Sequence, residues 1–310
     1  MYFNPKKIAF SRHESFTLRF GWLTKGFQAF EYDMNIFNNE DAVVALGVGK
    51  NMVNSIRHWL RASKLIILEG DNREITPIGK AIFSKEYGWD PFLEDEATIW
   101  LIHWLISTNP DHATAWYWLF NNFHKPEFSS IEVVTALSNF AQDRIEARFS
   151  ESSIKQDVGV LLRSYVQSKK SNKTGYEDVL DSPLSLLKLI SYSPTTKAYQ
   201  SMLEAHNNLP IGIFGYAICD YLKTLNETQI PIEDLIYCKD NSIAPGSIFR
   251  LTENALLTKL EQLIQLFPNH FGIDQTAGIH RFFVLNELDK LDPFELLKFH
   301  YESKSNYEAA

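Results

Sequence analysis

At 310 residues, 45% hydrophobic and 22% charged, the chain has apolar mass for one to three folded cores and the composition of a soluble globular protein. A formal charge of −8 excludes a wholly basic DNA-coating protein. Residues 1–85 nevertheless carry 12 Lys/Arg against 8 Asp/Glu, whereas residues 86–310 carry 18 against 30, so positive charge gathers in the first third.

No apolar signal core follows Met1-Tyr2-Phe3-Asn4-Pro5-Lys6-Lys7, and no leader is expected. The next cluster, His13 to Lys25, puts Phe16, Phe20 and Leu23 on an apolar face. His13, Arg19 and Lys25 could reach phosphates there; equally, His13 and Arg19 could pair with Glu14 or cap a neighbouring helix.

The span Asn39–Phe83 has the order of a winged helix-turn-helix. Glu40 to Leu46 reads as a short helix, Gly47 and Gly49 as a tight turn, and Lys50 to Ala62 as a second helix. Leu65 to Leu68, the turn formers Gly70-Asp71-Asn72, and Ile75 to Gly79 complete a hairpin. On the second helix Val53, Ile56 and Leu60 recur at helical period and form the apolar stripe. Asn51, Asn54, Ser55, Arg57, His58 and Arg61 are candidates for a second, DNA-facing side, with Lys50 at the helix start and Arg73 on the wing. Asn and Arg suit adenine and guanine edges, and a helix start suits a phosphate. The alternative is a winged helix used for packing or protein contact, with an ordinary solvated polar face.

Beyond residue 85 the chain becomes acidic and holds five of the seven tryptophans. Pro91, Glu94, Asp95 and Glu96 signal a helix start ahead of Ala97 to Leu105, and Ala113 to Phe123 reads as a second aromatic helix. Ser152 to Val166 follows, with Ile154, Val158, Leu161, Leu162 and Tyr165 on its apolar side. Lys169 to Gly175 reads as a linker, and Ser182 to Leu225 as a region of helices. Ile232 to Ile236, Glu253 to Leu266, and two strands around Phe271–Asp274 and Gly278–Val284, turning at Gln275 to Ala277, repeat the winged-helix order. This second copy is acidic, which favours packing or dimerisation over DNA contact. The expected fold is therefore mainly α with small β wings. It comprises a winged-helix domain (1–85), a tryptophan-rich helical domain (86–168) and a C-terminal helical and winged-helix domain (169–310). The strongest apolar runs, around Ile99–Ile106 and Ile211–Cys219, are too short to span a bilayer, so no membrane partner is expected. Cys219 and Cys238 lack zinc-type spacing, and a reduced, cytoplasmic setting fits them.

Chemical motifs are sparse. Gly47-Val48-Gly49-Lys50-Asn51 departs from a Walker A loop, so no nucleotide cofactor is expected. Asp90, Glu94, Asp95 and Glu96, with His103 further along, are candidates for Mg²⁺ or another divalent cation, since metal-assisted phosphodiester hydrolysis uses carboxylates. The same residues also read as a favourable helix start and a core histidine. His13 and Glu14 form a competing acid/base pair beside the basic domain.

Five segments carry a family resemblance: Phe10 to Phe16, Arg19 to Leu23, Ala42 to Val53, Asp90 to Asp95 and Ala113 to Asn121. They resemble a bacterial defence-island family that accompanies the sulfur-incorporating enzymes of DNA phosphorothioate modification. The resemblance implies nicking of one strand of double-stranded DNA, so that sulfur can replace a phosphate oxygen. It implies sulfur-transfer and ATPase components as partners; the acidic remainder of the chain, for its part, makes a homodimer a candidate assembly. It carries over no catalytic residue. The alternative is a non-enzymatic DNA-binding adaptor or transcriptional regulator that recruits the sulfur-transfer machinery, and a pure protein-interaction scaffold is a third reading.

Overall fold

The computed structural model describes residues 3–39, 41–167, 182–238, 242–276, 279–285 and 287–308, less the side chains of 275, 276, 279 and 304–308. The expected linker at 169–175 and the tip of the second wing at 277–278 lie outside the described residues. The chain forms two compact units: Asn4–Leu119 with Lys125–Met202, and Met1–Phe3 with Phe120–His124 and Leu203–Ala310. Mainly helical structure with small antiparallel sheets matches the expected class.

The first unit opens with α1 (Trp22–Tyr32), α2 (Ala42–Leu46) and α3 (Lys50–Ala62), followed by the hairpin β1 (Ile66–Glu69) and β2 (Asn72–Ile75) and by α4 (Pro77–Phe83). Gly47 takes φ +61 at the end of α2, a left-handed conformation that glycine adopts without steric cost and that turns the chain into α3. Val53, Ile56, Trp59 and Leu60 bury one side of α3. Thr76 caps α4 by accepting from the Gly79 N–H, with Pro77 at the first helical position.

Next come α5 (Glu96–Ser107), α6 (Thr114–Asn122), β3 (Glu127–Phe128), α7 (Ser130–Arg144) and α8 (Glu151–Tyr165). Every residue of α5 from Ala97 to Ser107 is buried, which makes it the core helix of its unit. α7 begins at a capping box between Ser129 and Glu132. Most of the residues expected to form the first two domains, all but Met1–Phe3 and Phe120–His124, cluster in this one unit. They are stitched together by the Asn109 amide, which donates to the Arg61 and Ala62 carbonyls, and by Trp59 edge-on to Trp116.

The segment expected to be helical from Ser182 to Leu225 is only partly so. β4 (Ser191–Ser193) and β5 (Ala198–Gln200) pair antiparallel, and β5 also pairs with β3. Tyr192 and Tyr199 lie directly opposite with ring centroids 4.9 Å apart, a cross-strand aromatic pair that favours sheet over helix.

The second unit contains α9 (Ile211–Leu225), β6 (Gln229–Pro231), α10 (Ile232–Ile236), α11 (Pro245–Ile248) and α12 (Glu253–Leu266), then β7 (Phe271–Thr276), β8 (Ile279–Val284) and α13 (Pro293–Glu308). Its sheet has the order β6-β8-β7, one strand more than the expected wing. Leu256, Leu260 and Leu263 of α12 are buried as expected, whereas Leu266 is exposed. No helix among the described residues is long and apolar enough to cross a membrane.

Candidate nucleic-acid interface

α3 carries the residues that the sequence singled out, and its geometry divides them. Lys50 and Asn51 are exposed at its start, and Asn54, Arg57 and Arg61 are half-buried along one side. Ser55 and His58 are buried. At 3.6 residues per turn Ser55 lies about 100° round the helix from Asn54. That turn places it with the packed residues rather than on the open side. The remaining basic candidates are held locally. Lys25 donates to the Leu46 carbonyl at 3.0 Å, at the end of α2. Arg19 lies over the rings of Phe16 and Trp22 at 5.6 and 5.4 Å. Arg73 is half-buried on β2 opposite Leu68, one residue beyond the hairpin turn.

What covers His58 is the N-terminal strap before α1. The Ser11 N–H donates to Asp157 Oδ1 at 2.6 Å, and His13 Nε2 lies 3.0 Å from the same oxygen. The Ser15 N–H donates to His13 Nδ1 at 3.2 Å, so Nδ1 is the acceptor and Nε2–H donates to the carboxylate. The His13 ring stacks against Trp59 and meets His58 and Trp116 edge-on, at centroid distances of 6.3, 5.8 and 6.0 Å. Burial pushes the Asp157 carboxyl upward, and His13 opposes that shift. Ser11, Glu14 and Ser15 all have positive φ (57°, 49° and 66°), a strained run that this anchoring maintains. The expected His13–Glu14 pair is thus replaced by His13–Asp157, and Glu14 instead accepts from the Asn54 amide at 3.3 Å.

Between the strap and α3 lies a cleft of about 520 Å³, lined by Lys7, Arg12, Glu14, Asn54, Arg57, His58, Arg61, Glu69, Asp111 and His112 among others. Its acids are engaged. Lys7 sits 3.8 Å from Glu69 and 3.6 Å from Asp111, and His112 Nε2 lies 3.5 Å from Glu69. Arg12, Arg57 and Arg61 have no carboxylate partner among the described residues. Burial, reinforced by His13, His112, Arg61 and Arg12, holds the His58 pKa well below its ordinary value, so His58 is neutral at pH 7. Burial also lowers the pKa values of Arg61 and His112. The sequence reading missed Arg12, Lys7 and Asp111 as cleft residues. Arg12 adjoins His13 in the Phe10–Phe16 segment, but nothing in the sequence spacing ties it to α3.

The acidic candidates have other work. Asp90 is buried; its Oδ1 accepts from the Glu94 N–H at 2.8 Å, and its Oδ2 from the Asp95 N–H at 3.1 Å and the Thr98 hydroxyl at 2.6 Å. Asp95 caps α5 through the Ala97 N–H, and Glu94 is exposed. His103 is buried, with Nδ1 2.7 Å from the Tyr165 hydroxyl. Both Asp90 oxygens are thus committed to the turn before α5, and this group is not arranged to hold a cation. No cluster of three or more His, Cys, Asp or Glu side chains able to hold a metal occurs among the described residues.

These features define a mainly helical protein in which two helices joined by a glycine turn, and the hairpin after them, lie beside an arginine-lined cleft. Residues 10–301 match the model of DUF4007, proteins of unknown function, and the chain belongs to that family. No curated protein matches it significantly. Among solved structures it is similar to a crystal structure of SspB, with TM-score 0.82, 26% identity, and coverage of 96% of this chain and 90% of that one. A magnesium ion-bound SspB structure matches with TM-score 0.82, 27% identity, and coverage of 95% and 88%.

Proposed function

We propose that this chain is the DNA-binding, strand-nicking component of a bacterial DNA phosphorothioate modification system. In this reading α2, α3 and the β1–β2 hairpin act as a winged helix-turn-helix on double-stranded DNA, with α3 as the reading helix. The observation that carries the proposal is the polar side of α3. Lys50 and Asn51 are exposed at its start, and Arg57 and Arg61 further along have no carboxylate within 4 Å among the described residues. Similarity to SspB along nearly the whole chain supports the assignment to the system, whose sulfur-transfer and ATPase components are the proposed partners. In the second unit α10, α12 and the β6-β8-β7 sheet serve as a second winged helix for protein contact, including a homodimer. A divalent cation accompanies nicking, in keeping with the magnesium-bound form of SspB, and no residue set is assigned to it.

Fluorescence anisotropy with a labelled duplex across a salt series tests DNA binding. Log affinity should fall linearly with log salt, and each phosphate contact removed should flatten the slope by about 0.9. Lys50→Glu and Asn51→Ala should weaken binding; unchanged affinity and slope in both overturn the α3 assignment.

A second reading, a non-nicking adaptor, is favoured by the engagement of His13, Asp90, Asp95 and His103 in structural hydrogen bonds. Supercoiled plasmid with Mg²⁺ or Mn²⁺ separates the two. Accumulation of open circles supports the enzyme, and intact plasmid with retained binding supports the adaptor.

A further inference from the structure

We propose that the cleft between the strap and α3 takes one phosphate-bearing nucleotide, its phosphate held by Arg12, Arg57 and Arg61. This rests on the DNA-binding reading and gives the cleft a ligand distinct from the duplex backbone. Three guanidiniums line one recess without a carboxylate partner among the described residues, while the three acids beside them are occupied by Asn54, Lys7 and His112. Like charges gathered in this way repel one another unless an anion joins them, and guanidinium forks match phosphate oxygens two at a time.

Two residues that line the recess also carry buried polar atoms without hydrogen-bond partners. His58 lines it and is 9% exposed, and its Nε2 is buried with no hydrogen-bond partner, as is the Nε of Arg61. An unsatisfied buried donor is costly, so a ligand whose entry shifts these side chains toward it would gain by supplying an acceptor. A neutral His58 can offer an N–H there without adding a charge.

Arg12 is placed by the strap rather than by α3. Strained backbone at Ser11 and Glu14 brackets it, and Asp157 pins the residues on either side. Strain maintained in this way is a common mark of a ligand-holding segment. At about 520 Å³ the cleft falls within the range of small-ligand sites and suits a single nucleotide rather than stacked base pairs. Two sources supply that chemistry: the terminal phosphate at a strand break, or a nucleotide turned out of the duplex stack.

Calorimetric titration of the full chain with dAMP and with deoxyadenosine tests the site. dAMP should bind and deoxyadenosine should not, and Arg12→Ala, at an exposed position, should weaken dAMP at least about tenfold, the worth of one charge-assisted hydrogen bond. Equal binding of the two ligands, or dAMP binding unchanged by both Arg12→Ala and Arg61→Ala, overturns the proposal. Two further arms identify the source. Preference for a nicked duplex with a 5′-phosphate over one with a 5′-hydroxyl points to the strand end, and brightening of 2-aminopurine in an intact duplex points to an extruded base. Duplex binding without dAMP binding removes the cleft proposal alone. dAMP binding without duplex binding removes the winged-helix reading alone.

Discussion

Replacing Asp157 by alanine removes the single oxygen that accepts from both the Ser11 N–H, at 2.6 Å, and His13 Nε2, at 3.0 Å. His13 and Asp157 are 1% exposed, so water cannot take over the bond between them. Two donors deprived of their acceptor cost about 1–3 kcal/mol each, so the strap should loosen by roughly 2–6 kcal/mol. At about 1.4 kcal/mol per factor of ten, amide exchange protection from Ile8 to Leu18 should fall by at least about thirtyfold. Asp157→Asn keeps a carbonyl oxygen in place of Oδ1 and should retain most of the protection. The sign of the pH effect follows from burial, which raises the folded carboxyl above its ordinary 3.8. Such a group binds its proton more readily in the folded state, so wild type should gain stability as pH falls from the folded value toward 3.8. Asp157→Asn should lack that gain. Hydrogen exchange by mass spectrometry reads all three proteins. A fall of less than about tenfold in Asp157→Ala, or equal losses in both variants, would refute the two-donor anchor.

Gly79→Ala should destabilise the first unit by about 1–3 kcal/mol, because a Cβ there would press on the Leu65 carbonyl and approach the Phe27 ring at 2.8 Å. Backbone cannot step aside as a rotamer can, so a thermal melt at or above that of wild type would contradict this packing. In the second unit, buried Lys259 donates to the Leu209 carbonyl at 2.9 Å, and burial lowers its pKa from 10.5 to about 8. A lowered folded pKa means that the unfolded chain binds more protons between those values, so wild-type stability should rise with pH across that window. Relative to Lys259→Met, wild type should gain about 2–3 kcal/mol between pH 7 and pH 10 in urea denaturation, and a flat difference would contradict the burial.

Much of the first unit was legible because its signals are local. The stripe Val53, Ile56, Leu60 and the glycine before α3 specify helix, turn and helix within a span of some twenty residues. α7 carried an equally local signal in Ser129 and Glu132, a capping box that the sequence reading passed over. The β4–β5 hairpin was not legible, since strands of three residues have no period to detect and Tyr192 meets Tyr199 only across the sheet. The cleft was half legible. α3 supplies Asn54, Arg57 and Arg61 in sequence, but Arg12 and His112, a hundred residues apart, reach the cleft through tertiary packing alone. His58 lies on the polar side by helical period, and it is buried because the strap covers it. A one-helix projection cannot see that cover.

Carboxylates and arginines divide their labour in a way that net charge conceals. The chain is acidic overall, yet the acids that looked most chemical are committed to architecture. Asp90 ties three donors at the start of α5 and Asp95 caps that helix, while Asp157, which no motif singled out, moors the strap. Each satisfies buried or helix-end donors, which fixes its geometry and removes it from the pool available to a solvated cation. Arg12, Arg57 and Arg61 show the converse. In a chain with 38 acids against 30 basic residues, unpaired arginines would readily find partners if pairing were all that selection required. Instead Glu69 and Asp111 pair with Lys7, and Glu69 also with His112, while Arg12, Arg57 and Arg61 line the same recess with no carboxylate within 4 Å among the described residues. The local field in the cleft is therefore positive inside a negative protein. On the proposed reading, that contrast would draw a phosphate to one place on the surface, which serves position-specific binding better than a uniformly basic face does.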